Sequence, residues 1–246
     1  MGKFLILGLL VAAVAASGEP LRFSSGASRV ALIELYTSEG CSSCPPADQW
    51  LGELAKKPGL WTEFVPVEFH VNYWDSLGWK DRLSTHEFTA REYAYSSAWG
   101  SPSVYTPCFV RNGAEWRPLL GGTDAQGDPS GVLSVEVGDD GRCRVEFQPG
   151  PGSDKGPYAV HLALLGGGIS SKVTAGENDG RTLKHEFVVL GLAQGDLSPD
   201  AAGGALRAAL PLPQPLVRDA KRRALAAWVV RRGELTPLQA TGGWLP

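Results

Sequence analysis

Two cysteines three positions apart, Cys41 and Cys44 in TSEGCSSCPPAD, are the residues of this chain best suited to chemistry. A Cys-x-x-Cys pair set where a strand gives way to a helix N-terminus has a physical use, because unpaired backbone N–H groups and the helix dipole stabilise a thiolate there. Cys41, the outer of the two, is then the nucleophile. Cys44, one turn further in, resolves a mixed disulfide formed at Cys41, which completes thiol–disulfide exchange. The same spacing serves zinc sites, but those use a second pair close by, and Cys108 and Cys143 do not form one. This reading predicts that Cys41 is the accessible thiol, with a pKa below the free value of about 8.5, and that Cys44 is buried.

The elements that must hold the pair follow from the flanking residues. RVALIELY (Arg29 to Tyr36) is apolar at both parities except at Glu34, as in a strand covered on both faces. PPADQWLGELAKK opens with prolines suited to a first helical turn and continues with Trp50, Leu51 and Leu54 at helical spacing. FVPVEFHV (Phe64 to Val71) reads as a second strand, so the unit is strand, helix, strand, with parallel neighbours. An aromatic-rich insertion follows, helical over roughly Ser84 to Tyr95, and VYTPCFVRNGAEWRPLL reads as a hairpin turning at Asn112-Gly113. The stretch from Gly121 to Asp154 is rich in Gly, Asp and Pro, with one strand-like run at RCRVEF. Beyond it YAVHLALL, RTLKHEFVVL, ALRAALPL and ALAAWVVRR are short runs parted by turn residues, the pattern of a small β-sandwich.

Thr106-Pro107 precedes a strand well downstream of the cysteines. Alone, that proline reads as an ordinary first residue of a strand. Together with the Cys-x-x-Cys it points to a thioredoxin-like fold, in which a cis-proline sits beside the redox pair. The expected fold class is therefore α/β: residues 1–17 a signal peptide, 18–135 a thioredoxin-like domain, and 136–246 a β-rich C-terminal domain. Glu34 then falls roughly where such folds keep a buried carboxylate that assists the inner cysteine; the alternative is a glutamate that reaches solvent or pairs with an arginine. The catalytic candidates are Cys41, Cys44, Thr106, Pro107 and Glu34.

Parallel strands place the cysteine loop and HVNYW at one sheet edge, where open α/β sheets bind ligands. Tyr73, Trp74 and Trp79 are accordingly candidates for a substrate wall, or else a satellite core for the inserted helix. His70, Asp75, Asp81 and His86 are irregularly spaced across a loop, so no metal ligand is assigned. GENDGR (Gly176 to Arg181) is a polar turn, or alternatively a contact with the first domain. On the strand after it Leu183, His185 and Phe187 share a face, with His185 as a hydrogen-bonded core histidine; the alternative is a catalytic role. Cys108 and Cys143 are expected to pair in a disulfide; the alternatives for Cys108 are a third redox thiol, part of a three-sulfur metal site, or a buried hydrophobe.

ELYTSEGCSSCPPAD, HVNYWDSLGWKDRLSTHEFTAREYAYS, VYTP and GENDGRTLKHEFVV together resemble a family of secreted bacterial proteins called domain of unknown function 1223. The resemblance covers most of the chain and implies a thioredoxin-like domain followed by a β-rich region, without an established biochemical role. The chain departs from the family's pattern in carrying Cys108 after Thr-Pro, where a polar residue such as glutamine is expected.

MGKFLILGLLVAAVAAS joins one cation to an apolar run ending in small residues, the form of a secretory signal peptide. Its run is shorter than the roughly 20 residues that span a bilayer, so the mature chain is expected in a periplasm or outside the cell, where disulfides persist. With 23 basic and 26 acidic residues and no long run of either sign, nucleic acid is not an expected partner. The expected function is a secreted or periplasmic thiol–disulfide oxidoreductase that needs no cofactor and acts on exported protein thiols or small disulfides with an unidentified redox partner. The alternatives are a soft-metal protein holding Cu(I) through Cys41, Cys44 and Cys108, and a non-enzymatic binding module with a structural disulfide.

Overall fold

The computed structural model describes residues 20–118, 127–153, 156–200 and 204–246. The signal-peptide reading of residues 1–17, and parts of the Gly-rich stretch after residue 118, lie outside them. After β1 (Leu21–Ser24), the strands β2 (Ala31–Thr37) and β3 (Phe64–His70) are buried at every position, as their unbroken apolar runs require. They pair in parallel from Ala31 opposite Phe64 to Thr37 opposite His70. Between them runs α1 (Pro45–Glu53), whose first turn holds Pro45 and Pro46, residues that need no N–H partner there, and which turns Ala47, Asp48 and Leu51 inward. A second helix, α2 (His86–Ala98), starts at Thr85, whose hydroxyl accepts the Phe88 N–H. β4 (Cys108–Arg111) lies antiparallel on the free edge of β2 and returns as β5 (Ala114–Trp116). Asn112 and Gly113 both have positive φ, 51° and 87°, as a two-residue hairpin turn demands.

The elements that follow among the described residues are all strands: β6 (Gly131–Val137), β7 (Arg142–Pro149), β8 (Tyr158–Gly167), β9 (Ile169–Lys172), β10 (Thr182–His185), β11 (Val188–Pro199), β12 (Leu206–Pro211), β13 (Arg222–Arg231) and β14 (Pro237–Trp244). The RTLKHEFVVL run is two strands, not one, because Phe187 at φ 60° turns the chain between β10 and β11.

The expected α/β class, a thioredoxin-like domain with a separate small β-sandwich behind it, is overturned. Of the described residues about 45% are strand and 14% helix, and among them are two α-helices and twelve strands that form one mixed sheet. The physical reason is β11. Its start pairs in parallel with β3, Val188 opposite Glu68, while its far end pairs with β12, so one long strand belongs to both halves. β8 and β13 are the second reason. In ALAAWVV, Ala224, Ala226, Trp228 and Val230 enter the core under β2 and β3, whereas Leu225, Ala227 and Val229 enter a second core beneath β6 and β7. A strand buried on both faces reads as a continuous apolar run, which a two-layer sandwich does not produce.

Candidate functional site

Cys41 and Cys44 form a disulfide, Cα to Cα 5.5 Å, in the loop between β2 and α1. Cys44 is the N-cap residue of α1, and its carbonyl accepts the N–H groups of Ala47 and Asp48. Cys41 Sγ lies 3.3 Å from Ser43 Oγ and 3.8 Å from the carbonyl oxygen of Thr106, which precedes Pro107 through a cis peptide bond. The sequence thus brings Cys41, Cys44, Thr106 and Pro107 together. The expectation of an accessible Cys41 is corrected: both cysteines are 0% exposed. Ser42 and Ser43 between them are exposed, while three neighbours hold the backbone of the loop. The Asn178 amide donates to the carbonyls of Glu39 and Cys41, at 2.9 Å each. Glu177 accepts the Ser42 N–H at 3.0 Å, and the Ser42 hydroxyl, followed by that N–H, holds its carboxyl below the ordinary carboxylate range. Trp74 packs so closely on Gly40 that a Cβ there would meet Trp74 Cβ at 3.0 Å. The GENDGR turn is therefore a clamp on the cysteine loop, the second of its two sequence readings.

Glu34 alternates with Thr37 along β2, and Thr37 bonds α1 through Asp48. Glu34 accordingly faces α2, away from the cysteine helix. Its carboxylate accepts Arg91 Nε and Nη2 at 2.7 and 3.1 Å and the hydroxyls of Tyr36 and Tyr95 at 2.9 and 2.6 Å. This is the arginine-paired arrangement.

Of the aromatic candidates, Trp74 Nε1 donates to Thr106 Oγ1 at 2.8 Å and Trp79 Nε1 to Glu39 Oε2 at 2.8 Å, so both brace the cysteine loop. Tyr73 packs beside Trp74 near Glu92, which burial pushes up to about 7. None of the three lines the cavity of about 630 Å³ next to the disulfide, which Ser43, Pro46, Trp50, Tyr105, Pro107 and Trp116 border. Sequence reasoning missed this cavity because Trp50 on α1 and Trp116 on β5 meet only through the sheet.

The largest omission lies on the other side of the loop, where six ionisable side chains meet with at most 4% exposure. His70 contacts Glu68 Oε1 through Nε2 at 2.8 Å and Asp81 Oδ2 through Nδ1 at 2.6 Å. His185 contacts the same Glu68 oxygen through Nδ1 at 3.1 Å, and its Nε2 lies 3.4 Å from Glu39 Oε1, an ion pair rather than an aligned hydrogen bond. Asp48 Oδ2 is 3.8 Å from His185 Nδ1. Burial disfavours the imidazolium of His185, but the Glu39 and Glu68 carboxylates outweigh it and raise the ring to about 9. Burial, then the charge of Glu68, pushes Asp48 up to about 7. Glu68 in a buried strand was the available signal, together with Asp48 one turn beyond Cys44.

The expected Cys108–Cys143 disulfide is absent: both cysteines are free and buried, Cys108 on β4 in the core under β2, Cys143 on β7 in the second core. Burial pushes the Cys108 thiol up to about 12, which opposes the ionisation a metal ligand needs.

Two solved structures share the fold. Protein AGR_C_4864 from Agrobacterium tumefaciens is 25% identical with a TM-score of 0.64, covering 87% of this chain and 94% of that one. HBP35 of Porphyromonas gingivalis is 13% identical with a TM-score of 0.61, covering 90% and 76%. No curated protein matches. The family described as protein of unknown function (DUF1223) matches residues 32–230, and the chain belongs to that uncharacterised family.

Proposed function

We propose that this protein is a thiol–disulfide oxidoreductase of an oxidising compartment, periplasmic or secreted, acting on exported protein thiols or small disulfides. The observation that carries the reading is the Cys41–Cys44 disulfide at the N-terminus of α1 with an aromatic-lined cavity beside it. A helix N-terminus stabilises a thiolate, and a disulfide is compatible with such a compartment. In the reducing direction the Cys41 thiolate attacks a substrate disulfide, forming a mixed disulfide and releasing one substrate thiolate. Cys44 then attacks Cys41 Sγ and releases the second, so two electrons pass to the substrate and the pair closes. In the oxidising direction the same bonds are exchanged in reverse. The cavity would receive the segment that flanks the substrate sulfur.

Burial of both sulfurs favours a second reading, a structural clasp. A Cys44→Ser variant separates the two. An oxidoreductase leaves Cys41 able to form a stable mixed disulfide with a small aromatic disulfide under native conditions, released by a second thiol. A clasp leaves Cys41 unreactive until the chain unfolds, and that outcome would overturn the proposal.

A further inference from the structure

We propose that Glu68, His70 and His185, with Asp48 as fourth donor, form a binding site for one divalent transition cation of the zinc class, beneath the cysteine loop and independent of its sulfurs. The inner donor atoms of Glu68, His70 and His185 lie within 4.8 Å of one another. Glu68 Oε1 is 2.8 Å from His70 Nε2 and 3.1 Å from His185 Nδ1, and Asp48 Oδ2 is 3.8 Å from that same Nδ1. Ligands of a tetrahedral zinc ion at roughly 2.0–2.1 Å stand about 3.3 Å apart, so these separations bracket what the ion requires.

The outer nitrogens make the stronger argument. His70 turns Nδ1 to Asp81 Oδ2, and His185 turns Nε2 toward Glu39 Oε1, while both inner nitrogens point at one Glu68 oxygen. An imidazole backed by a carboxylate on its far nitrogen is how metal-binding histidines are held in orientation and made more basic. Asp81 is itself held by the N–H groups of Glu39 and Leu83. Glu68 is 0% exposed, and its Oε2 has no hydrogen-bond partner, a cost a buried polar atom does not ordinarily bear. Loading exchanges the protons on the two rings for the ion, and two imidazole and two carboxylate donors suit a borderline cation rather than a soft one.

The site is enclosed, so loading is coupled to folding. The test is to unfold the full chain in chelator, refold it with Co²⁺ as the spectroscopic probe, and follow the visible band of tetrahedral cobalt; zinc should displace it. One equivalent per chain is expected, retained in a Cys41→Ser, Cys44→Ser double variant. His185→Gln should weaken binding at least 100-fold, and Asp81→Asn, which keeps every inner donor, by about 10- to 100-fold. If His185→Gln fails to fold, Asp81→Asn carries the test. A folded parent that takes up no cobalt overturns the proposal, as does a band lost in the double cysteine variant, or an unchanged affinity in Asp81→Asn. Because the double variant cannot exchange thiols, cobalt binding by it stands or falls separately from the redox reading.

Discussion

Glu34 and Arg91 form a buried pair in which the guanidinium also stacks over Tyr95, Phe69 and Trp228. Removing one charge from such a pair leaves the other uncompensated. Glu34→Gln should therefore lower stability by about 3–5 kcal/mol, measured by urea denaturation; a loss below about 1 kcal/mol would mean that the Tyr95 hydroxyl alone satisfies Arg91. Glu92 behaves differently, since burial moves it from an ordinary 4.5 up to about 7. The folded chain keeps this proton where the unfolded chain has released it. Its contribution to stability is therefore full below about pH 4.5 and is lost as the pH rises through 7. Glu92→Gln stays neutral, and relative to its parent it should gain about 3 kcal/mol between pH 4 and pH 8. Parallel stability–pH curves for the two would show that Glu92 titrates normally.

At the scale of elements, the cysteine loop depends on a turn more than a hundred residues away. Asn178 is buried and satisfies two loop carbonyls. Asn178→Ala leaves both acceptors without that donor, which should cost about 1–3 kcal/mol. It should also speed reduction of Cys41–Cys44 by a small thiol, because local opening of the loop exposes the sulfurs. Reduction kinetics followed by mass spectrometry would check this, and an unchanged rate would mean that Trp74 and Trp79 alone keep the loop closed.

Across the whole molecule, the β2–α1–β3 unit borrows its core from the far end of the chain. Ala163, Leu165, Val189, Ala226 and Trp228 lie in the same cluster as Leu32, Ile33 and Phe69. A fragment ending at residue 153 loses that layer and the β11 partner of β3. Such a fragment is expected to show no cooperative urea transition and to bind a hydrophobic dye, whereas a sharp transition would establish an independently folding N-terminal unit.

Periodicity determined the local elements: β2, α1, β3, the Asn112-Gly113 hairpin and α2 are each written in a few consecutive residues, because burial and turn geometry act over short spans. The cysteine pair at a helix N-terminus was legible for the same reason. Partnership was not. That β11 joins β3 and β12 in one sheet, that Trp50 and Trp116 border one cavity, and that Glu68, His70 and His185 meet are facts of pairing between distant segments. A strand's pattern states how many of its faces are covered, not by which neighbour. Single residues show the limit most clearly. Glu34 stood out as a charge on an apolar strand, but only the fold decided that its partner is Arg91 on α2 and that the cysteine helix lies on the opposite face.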